Sequence, residues 1–409
     1  MKRYVSFLVL LMTAISLQAQ NFQQFFNDST LRLDYIFAGD KKSQHIYLDQ
    51  LHKSAGWYGR RHHLDQLPLE GNGDITMKDA ATGTVIYRQS FSTLFQEWLS
   101  TAEARQTSRS FENVFLVPYP RQAVEITVTL RDYHARTMAS MTHRVNPTDI
   151  LIRRQHQQSR YTTIHAAADT ARCIHVAFVA EGYTIGQMDQ YLADCRAATE
   201  ALFRHEPFKQ LQDRFNIIAI QSPSHDTDVS QPGKNIWLDT ALGSHFDTFY
   251  STRYLTTLHL KRLHDLLAGT PYEHIIILAN TAHYGGGGIY NSYNLCYTRG
   301  QQFLPVVVHE FGHSFGGLGD EYPYGDDDPM YSADTEPWEP NLTTHTTHPA
   351  KWQKLIDEGR ASLVEGGGYL THGVWRGQED CRMRTNEHPD FCPVCQEALT
   401  RLIKFYTEK

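Results

Sequence analysis

The segment HEFGHSFGGLGDEY, from His309 to Tyr322, gathers groups able to hold a cation and activate water. His309 and His313 are four residues apart, a spacing that stacks two side chains on one helix face, so both imidazoles reach one metal ion. Glu310 lies beside them, placed to take a proton from a water. The preceding run FLPVVV, Phe303 to Val308, predicts a helix with a buried side. Gly316, Gly317 and Gly319 predict a sharp exit through positive-φ conformations that turns the chain back toward the metal. After the glycines comes an acidic pair. Asp320 is the expected third ligand, with Glu321 as the alternative or as a partner orienting a histidine. Two imidazoles and one carboxylate leave a fourth position for water or substrate, the arrangement of hydrolytic zinc sites.

Other segments carry weaker chemistry. Gly285, Gly286, Gly287 and Gly288 permit close approach by another backbone, so they form a candidate rim for an extended peptide; a flexible hairpin loop fits the same residues. No Lys-Ser or Lys-Thr pair follows them, which argues against phosphate binding. Asp326, Asp327 and Asp328 lack the alternating spacing of an EF-hand and fit a solvated acidic loop better than a calcium site. Three of the six cysteines, Cys381, Cys392 and Cys395, lie close together, and a disulfide from Cys381 to one of the other two is expected in an exported chain. A second zinc site is the weaker alternative for these cysteines, since four well-spaced ligands are not evident.

HEFGHSFGGLGDEY, the run YGGGGIYN from Tyr284 to Asn291, and CRMR followed by FCPVC between Cys381 and Cys395 together resemble the igalysin family, the IgA-peptidase family of bacterial metzincins. The metzincin pattern H-E-x-x-H-x-x-G-x-x-H places its glycine at Gly316. Its third histidine would fall at Gly319, which has no side chain, so the ligand is displaced by one residue onto Asp320. The resemblance implies a zinc endopeptidase with His309, His313 and Asp320 as ligands and Glu310 as general base. It also implies that Met383 forms an apolar floor beneath the metal. Immunoglobulin A or mucosal glycoproteins are the substrates the family name suggests. Two other classes fit the residues: a glycoprotein- or glycan-binding protein with a retained metal, and a zinc amidase acting on cell-wall peptides. For the oxyanion of peptide hydrolysis a tyrosine is the expected donor, Tyr322 being the nearest in sequence.

Those groups need a scaffold. A chain of 409 residues is too long for one ordinary domain, and two are expected. Lys2 and Arg3, an apolar stretch from Val5 to Leu17 and the small residue Ala19 predict a signal peptide over residues 1–19, too short to anchor stably in a bilayer. Export to the periplasm, cell surface or medium follows from it. Its removal takes the formal net charge from −7 to −9, and no basic stripe offers a nucleic-acid surface.

Residues 20–155 are expected to form an all-β sandwich, with period-two strands at Thr84–Phe91, Asn113–Pro120 and Ala123–Asp132 and loops from Gly56 to Ile75. Trp57 and Tyr58 fit core positions better than a glycan platform, and no catalytic group is evident in this part. From residue 160 to 409 the pattern changes to an α/β, metzincin-like peptidase domain. Its expected strands are at Ile174–Thr184, Phe215–Pro223 and His274–Asn280, and its helices at Met188–His205, Thr252–Ala268 and Gln396–Phe405.

Overall fold

The computed structural model of the chain describes residues 22–157, 159–325 and 330–409. The expected signal peptide and the Asp326–Asp328 run therefore lie outside the described residues. Among the described residues no helix is long and apolar enough to cross a membrane.

The amino-terminal part carries two four-stranded sheets. One runs in the order Arg109–Pro120, Phe26–Gly39, Gln44–Ala55, Arg153–Arg154; the other runs Val85–Phe91, Gly73–Asp79, Val124–Arg131, Thr137–Val145. Val124–Arg131 alternates buried and less buried residues, as a strand with one covered face should. The long strands Phe26–Gly39 and Gln44–Ala55 were not evident in the sequence. The first carries polar residues inward: Arg32 and Asp34 are both buried and pair with each other, Nε to Oδ1 at 2.7 Å, which masks the apolar alternation. Gly73–Ile75, expected in a loop, begins a strand. Trp57 is core, with its indole N–H donating to the Arg60 carbonyl at 3.0 Å.

A six-stranded mixed sheet follows. Its order is Gly286–Ile289, Tyr293–Tyr297, His274–Ala279, Ile174–Glu181, Phe215–Ile220, Tyr161–His165, parallel in the centre and antiparallel at both edges. Its central strands are buried along their whole length, because both faces are covered. Side-chain alternation assigns the faces. Val176, Phe178, Ile217 and Ile276 join one core with the helices Met188–Leu202, Phe303–Ser314 and Pro393–Thr407. Ala177, Val179, Ile218 and Ile277 join the other core, which continues into the amino-terminal sheets through Phe37, Phe115 and Val128. The division between cores thus follows the faces of the sheet rather than the order of the chain. A shared apolar core of this kind ties the two parts of the chain together.

The helix expected over Thr252–Ala268 is confined to Leu260–Leu267. The residues before it form a turn and two isolated bridges, Tyr254 to Gly286 on the edge strand and Thr256 to His245, with Leu255, Thr256 and Thr257 buried.

That edge strand explains the glycine run. A Cβ on Gly286 would lie 2.8 Å from Glu310 Oε1, and one on Gly288 would lie 2.3 Å from the Glu310 carbonyl oxygen. Cβ atoms on Gly285 and Gly287 would meet the Arg253 carbonyl oxygen at 2.5 Å and the Tyr254 ring at 2.8 Å. Gly286, Gly287 and Gly288 lie in a strand and Gly285 just precedes it, and the glycines let the strand sit between the helix Phe303–Ser314 and the Arg253–Leu255 segment. Gly288→Ala is therefore expected to destabilise the protein by about 1–3 kcal/mol through overpacking. Gly186→Ala, where a Cβ meets nothing within 4 Å, should stay within about 0.5 kcal/mol of wild type. Urea unfolding of the two variants checks this, and equal midpoints would refute the packing role.

Candidate metal centre and active-site cleft

The helix Phe303–Ser314 buries Val306, Val307, Val308 and Phe311 and turns His309, Glu310 and His313 toward a cleft of about 500 Å³. Its end is a Schellman turn: Gly317 N–H donates to the His313 carbonyl at 2.9 Å and Leu318 N–H to the Gly312 carbonyl at 3.1 Å. Gly317 takes the positive φ, 59°, that this turn requires. Gly316 and Gly319, expected to share that conformation, do not. They are glycine because neighbours crowd them; a Cβ on Gly316 would lie 2.6 Å from the Gly312 carbonyl oxygen.

The turn brings Asp320 back over the helix. His309 Nε2 and His313 Nε2 are 3.0 Å apart, and Asp320 Oδ1 lies 3.1 Å from the first and 3.2 Å from the second. Each ring is set by a backbone carbonyl: His309 Nδ1 donates to Arg382 O at 2.9 Å and His313 Nδ1 donates to Leu318 O at 2.6 Å. A carbonyl can only accept, so the proton sits on Nδ1 and the Nε2 lone pairs face the common point. Asp320 Oδ1 is buried and has no hydrogen-bond partner, which a cation at that point would supply. Burial pushes the Asp320 carboxyl up, but the two histidines outweigh it and hold it well below the usual carboxylate range. Burial pulls His313 down, yet the charge of Asp320 carries it up to about 9. A metal therefore competes with a proton for this imidazole.

Burial raises the Glu310 carboxyl, the histidines pulling against it. Tyr369 donates its hydroxyl to Asp320 Oδ2. Tyr322, the tyrosine nearest the motif in sequence, lies against Asp320 as well, its ring near-parallel to that of His309. Met383 packs beneath the helix, its sulfur 2.6 Å from where a Gly312 Cβ would be.

Two expectations are corrected. Glu321 does not reach the histidines; its Oε1 accepts from Asn341 Nδ2 at 2.9 Å and from Cys395 Sγ at 3.2 Å. Adjacent residues of an extended chain point opposite ways, so Asp320 and Glu321 serve different places. The expected disulfide is not formed, since all six cysteines are free and Cys381 Sγ and Cys395 Sγ lie 3.7 Å apart.

The cleft also holds residues that the sequence did not single out. Asn72, Ser92, Glu97 and Ser100 of the amino-terminal part line it together with Gly286–Ile289 and the histidines. Glu97 sits in the helix Leu94–Trp98 and accepts the Tyr254 hydroxyl; burial pushes its carboxyl up to about 7. Trp338 fastens the wall by donating its indole N–H to Asn72 Oδ1 at 2.7 Å. Nothing in the local sequence marks these residues, because only docking of the two sheets against the carboxy-terminal part brings them here.

A family model described as IgA Peptidase M64 matches residues 162–363, and one described as Peptidase M64 N-terminus matches residues 21–142. The chain belongs to the M64 peptidases, the igalysins. A search of curated proteins finds no match. Membership makes this M64 chain a peptidase of a metallopeptidase family, acting on protein or peptide, and His309, His313 and Asp320 are a candidate metal-binding group within the matched range. In this M64 site Tyr369→Phe should weaken metal affinity about 10- to 100-fold by removing a hydrogen bond that orients Asp320. Competition against a chromogenic chelator measures it, and unchanged affinity would show that Asp320 needs no such support.

Proposed function

We propose that the protein is a secreted zinc endopeptidase with His309, His313 and Asp320 as ligands and Glu310 as general base. The observation that carries this reading is the convergence of two imidazole nitrogens and one carboxylate oxygen on one point in the cleft that Glu310 lines. Nitrogen and oxygen donors about 2.0–2.1 Å from a tetrahedral zinc lie about 3.3–3.4 Å apart, and the separations here are 3.0, 3.1 and 3.2 Å. When bound, zinc supplies Lewis acidity, lowering the pKa of a water and polarising a carbonyl.

Glu310 accepts a proton from the attacking water and passes it to the leaving amine. Its raised pKa suits both tasks, since a base nearer neutrality returns its proton more readily. An extended substrate would lie along the edge strand Gly286–Ile289, which lines the cleft and ends its sheet. In this reading residues 1–19 direct export to the periplasm, cell surface or medium. Residues 20–155 form a β-sandwich accessory domain that walls the cleft, and residues 160–409 form the metzincin-like peptidase domain, floored by Met383. Immunoglobulin A and other mucosal glycoproteins are candidate substrates.

Glu310→Gln should keep its metal and lose about 10²- to 10⁴-fold in cleavage rate. Denatured proteins and immunoglobulin A, each with and without a chelator, are the test substrates. Wild-type rates from a metal-replete Glu310→Gln sample would overturn the assigned base. Cleavage of denatured proteins but not of immunoglobulin A would remove that substrate and leave the peptidase.

A further inference from the structure

We infer that Glu321, Cys381, Cys392 and Cys395 form a second metal site, a closed structural zinc site of three thiolates and one carboxylate. All four residues are buried, and one donor atom from each lies within 4.8 Å of the others. Two thiolates about 2.3 Å from a tetrahedral zinc sit about 3.8 Å apart, whereas a disulfide needs about 2.05 Å. Cys381 Sγ and Cys395 Sγ are 3.7 Å apart.

A second observation points the same way. Glu321 Oε2 is buried with no hydrogen-bond partner, while Oε1 is held by Asn341 Nδ2 at 2.9 Å. Oε1 also lies 3.2 Å from Cys395 Sγ, and a buried carboxylate with one oxygen unpartnered beside three sulfurs is costly unless a cation is shared among them. Backbone amides support the charge on sulfur: Cys392 N–H and Met383 N–H donate to Cys381 Sγ at 3.1 and 3.5 Å. Cys392 caps the helix Pro393–Thr407 and Cys395 lies in its first turn, where the helix dipole favours thiolates. Three thiolates select a soft or borderline ion, and a fully protein-filled tetrahedron is the mark of structural zinc.

The position of the cluster gives it a task. Glu321 follows Asp320 directly, and its N–H donates to the Met383 carbonyl at 2.9 Å. Cys381 precedes Arg382, whose carbonyl orients His309. One ion would thus tie the Asp320 segment, the Met383 turn and the last helix together behind the first site. Cys381, Cys392 and Cys395 lie beyond the matched residues 162–363, and no donor is shared with the first site.

The test is made on the full chain, loaded with cobalt(II) under a phosphine reductant, for wild type and for the double variant His309→Ala/His313→Ala. Elemental analysis should find two ions per chain in wild type and one in the double variant. Both proteins should show intense thiolate-to-cobalt charge-transfer absorption, which the nitrogen and oxygen donors of the first site cannot produce. Cys395→Ser should lose that absorption; if it fails to fold, the double variant still decides, because it keeps all four donors. A double variant that binds no metal, absorption without thiolate bands, or a Cys381–Cys395 disulfide found by mass spectrometry of the unreduced protein would each overturn the proposal. The result is separable from the peptidase reading, since the decisive variant lacks the first site.

Discussion

Two imidazole nitrogens and a carboxylate oxygen, crowded within 3.2 Å of one another in a partly buried site, set the demands that the surrounding structure meets. Electron-rich atoms at such distances need a shared cation or a shared proton. Their alignment depends on the helix end: the turn that stops the helix at Gly317 supplies the Leu318 carbonyl that orients His313 and sends Asp320 back over both rings. Capping and ligand placement are therefore one structural event.

Rigidity comes from layering. The mixed sheet buries both faces, one under the helices and one against the amino-terminal strands, so the helix that carries His309 and His313 rests on a support that cannot tilt without opening a core. The edge strand Gly286–Ile289 reaches that helix at backbone distance because its residues facing the helix lack side chains. The same closeness brings a strand edge to the cleft, joining packing to the surface on which a peptide would lie.

The amino-terminal part is more than an appendage. Glu97 and Asn72 enter the cleft from it, and ion pairs such as Arg32 with Asp265, 2.6 Å, and Lys261 with Asp49, 2.7 Å, lie along the same junction. Pairs exposed on one side contribute little energy individually. The shared apolar core does most of the holding, and the charges fix the register of docking.

His309, Glu310 and His313 were legible from sequence because helix periodicity is local: residues four apart must share a face wherever the helix lies. The glycine exit was legible for the same reason, although only Gly317 uses the conformation expected of it; Gly316 answers to crowding by atoms that no local rule reveals. Period-two strands such as Val124–Arg131 were readable, whereas Phe26–Gly39 was not, since its buried Arg32–Asp34 pair looks polar until both partners are seen together. Choosing between Asp320 and Glu321 required the fold, because alternation along an extended chain says that they point apart but not which one meets the histidines. Cys381, Cys392 and Cys395 were visible as a group, but the carboxylate that joins them comes from a segment distant in sequence. Sequence alone determined the chemistry carried on one helix. Tertiary structure decided everything that depends on segments meeting, since such contacts are set by burial and packing across the whole chain rather than by spacing along it.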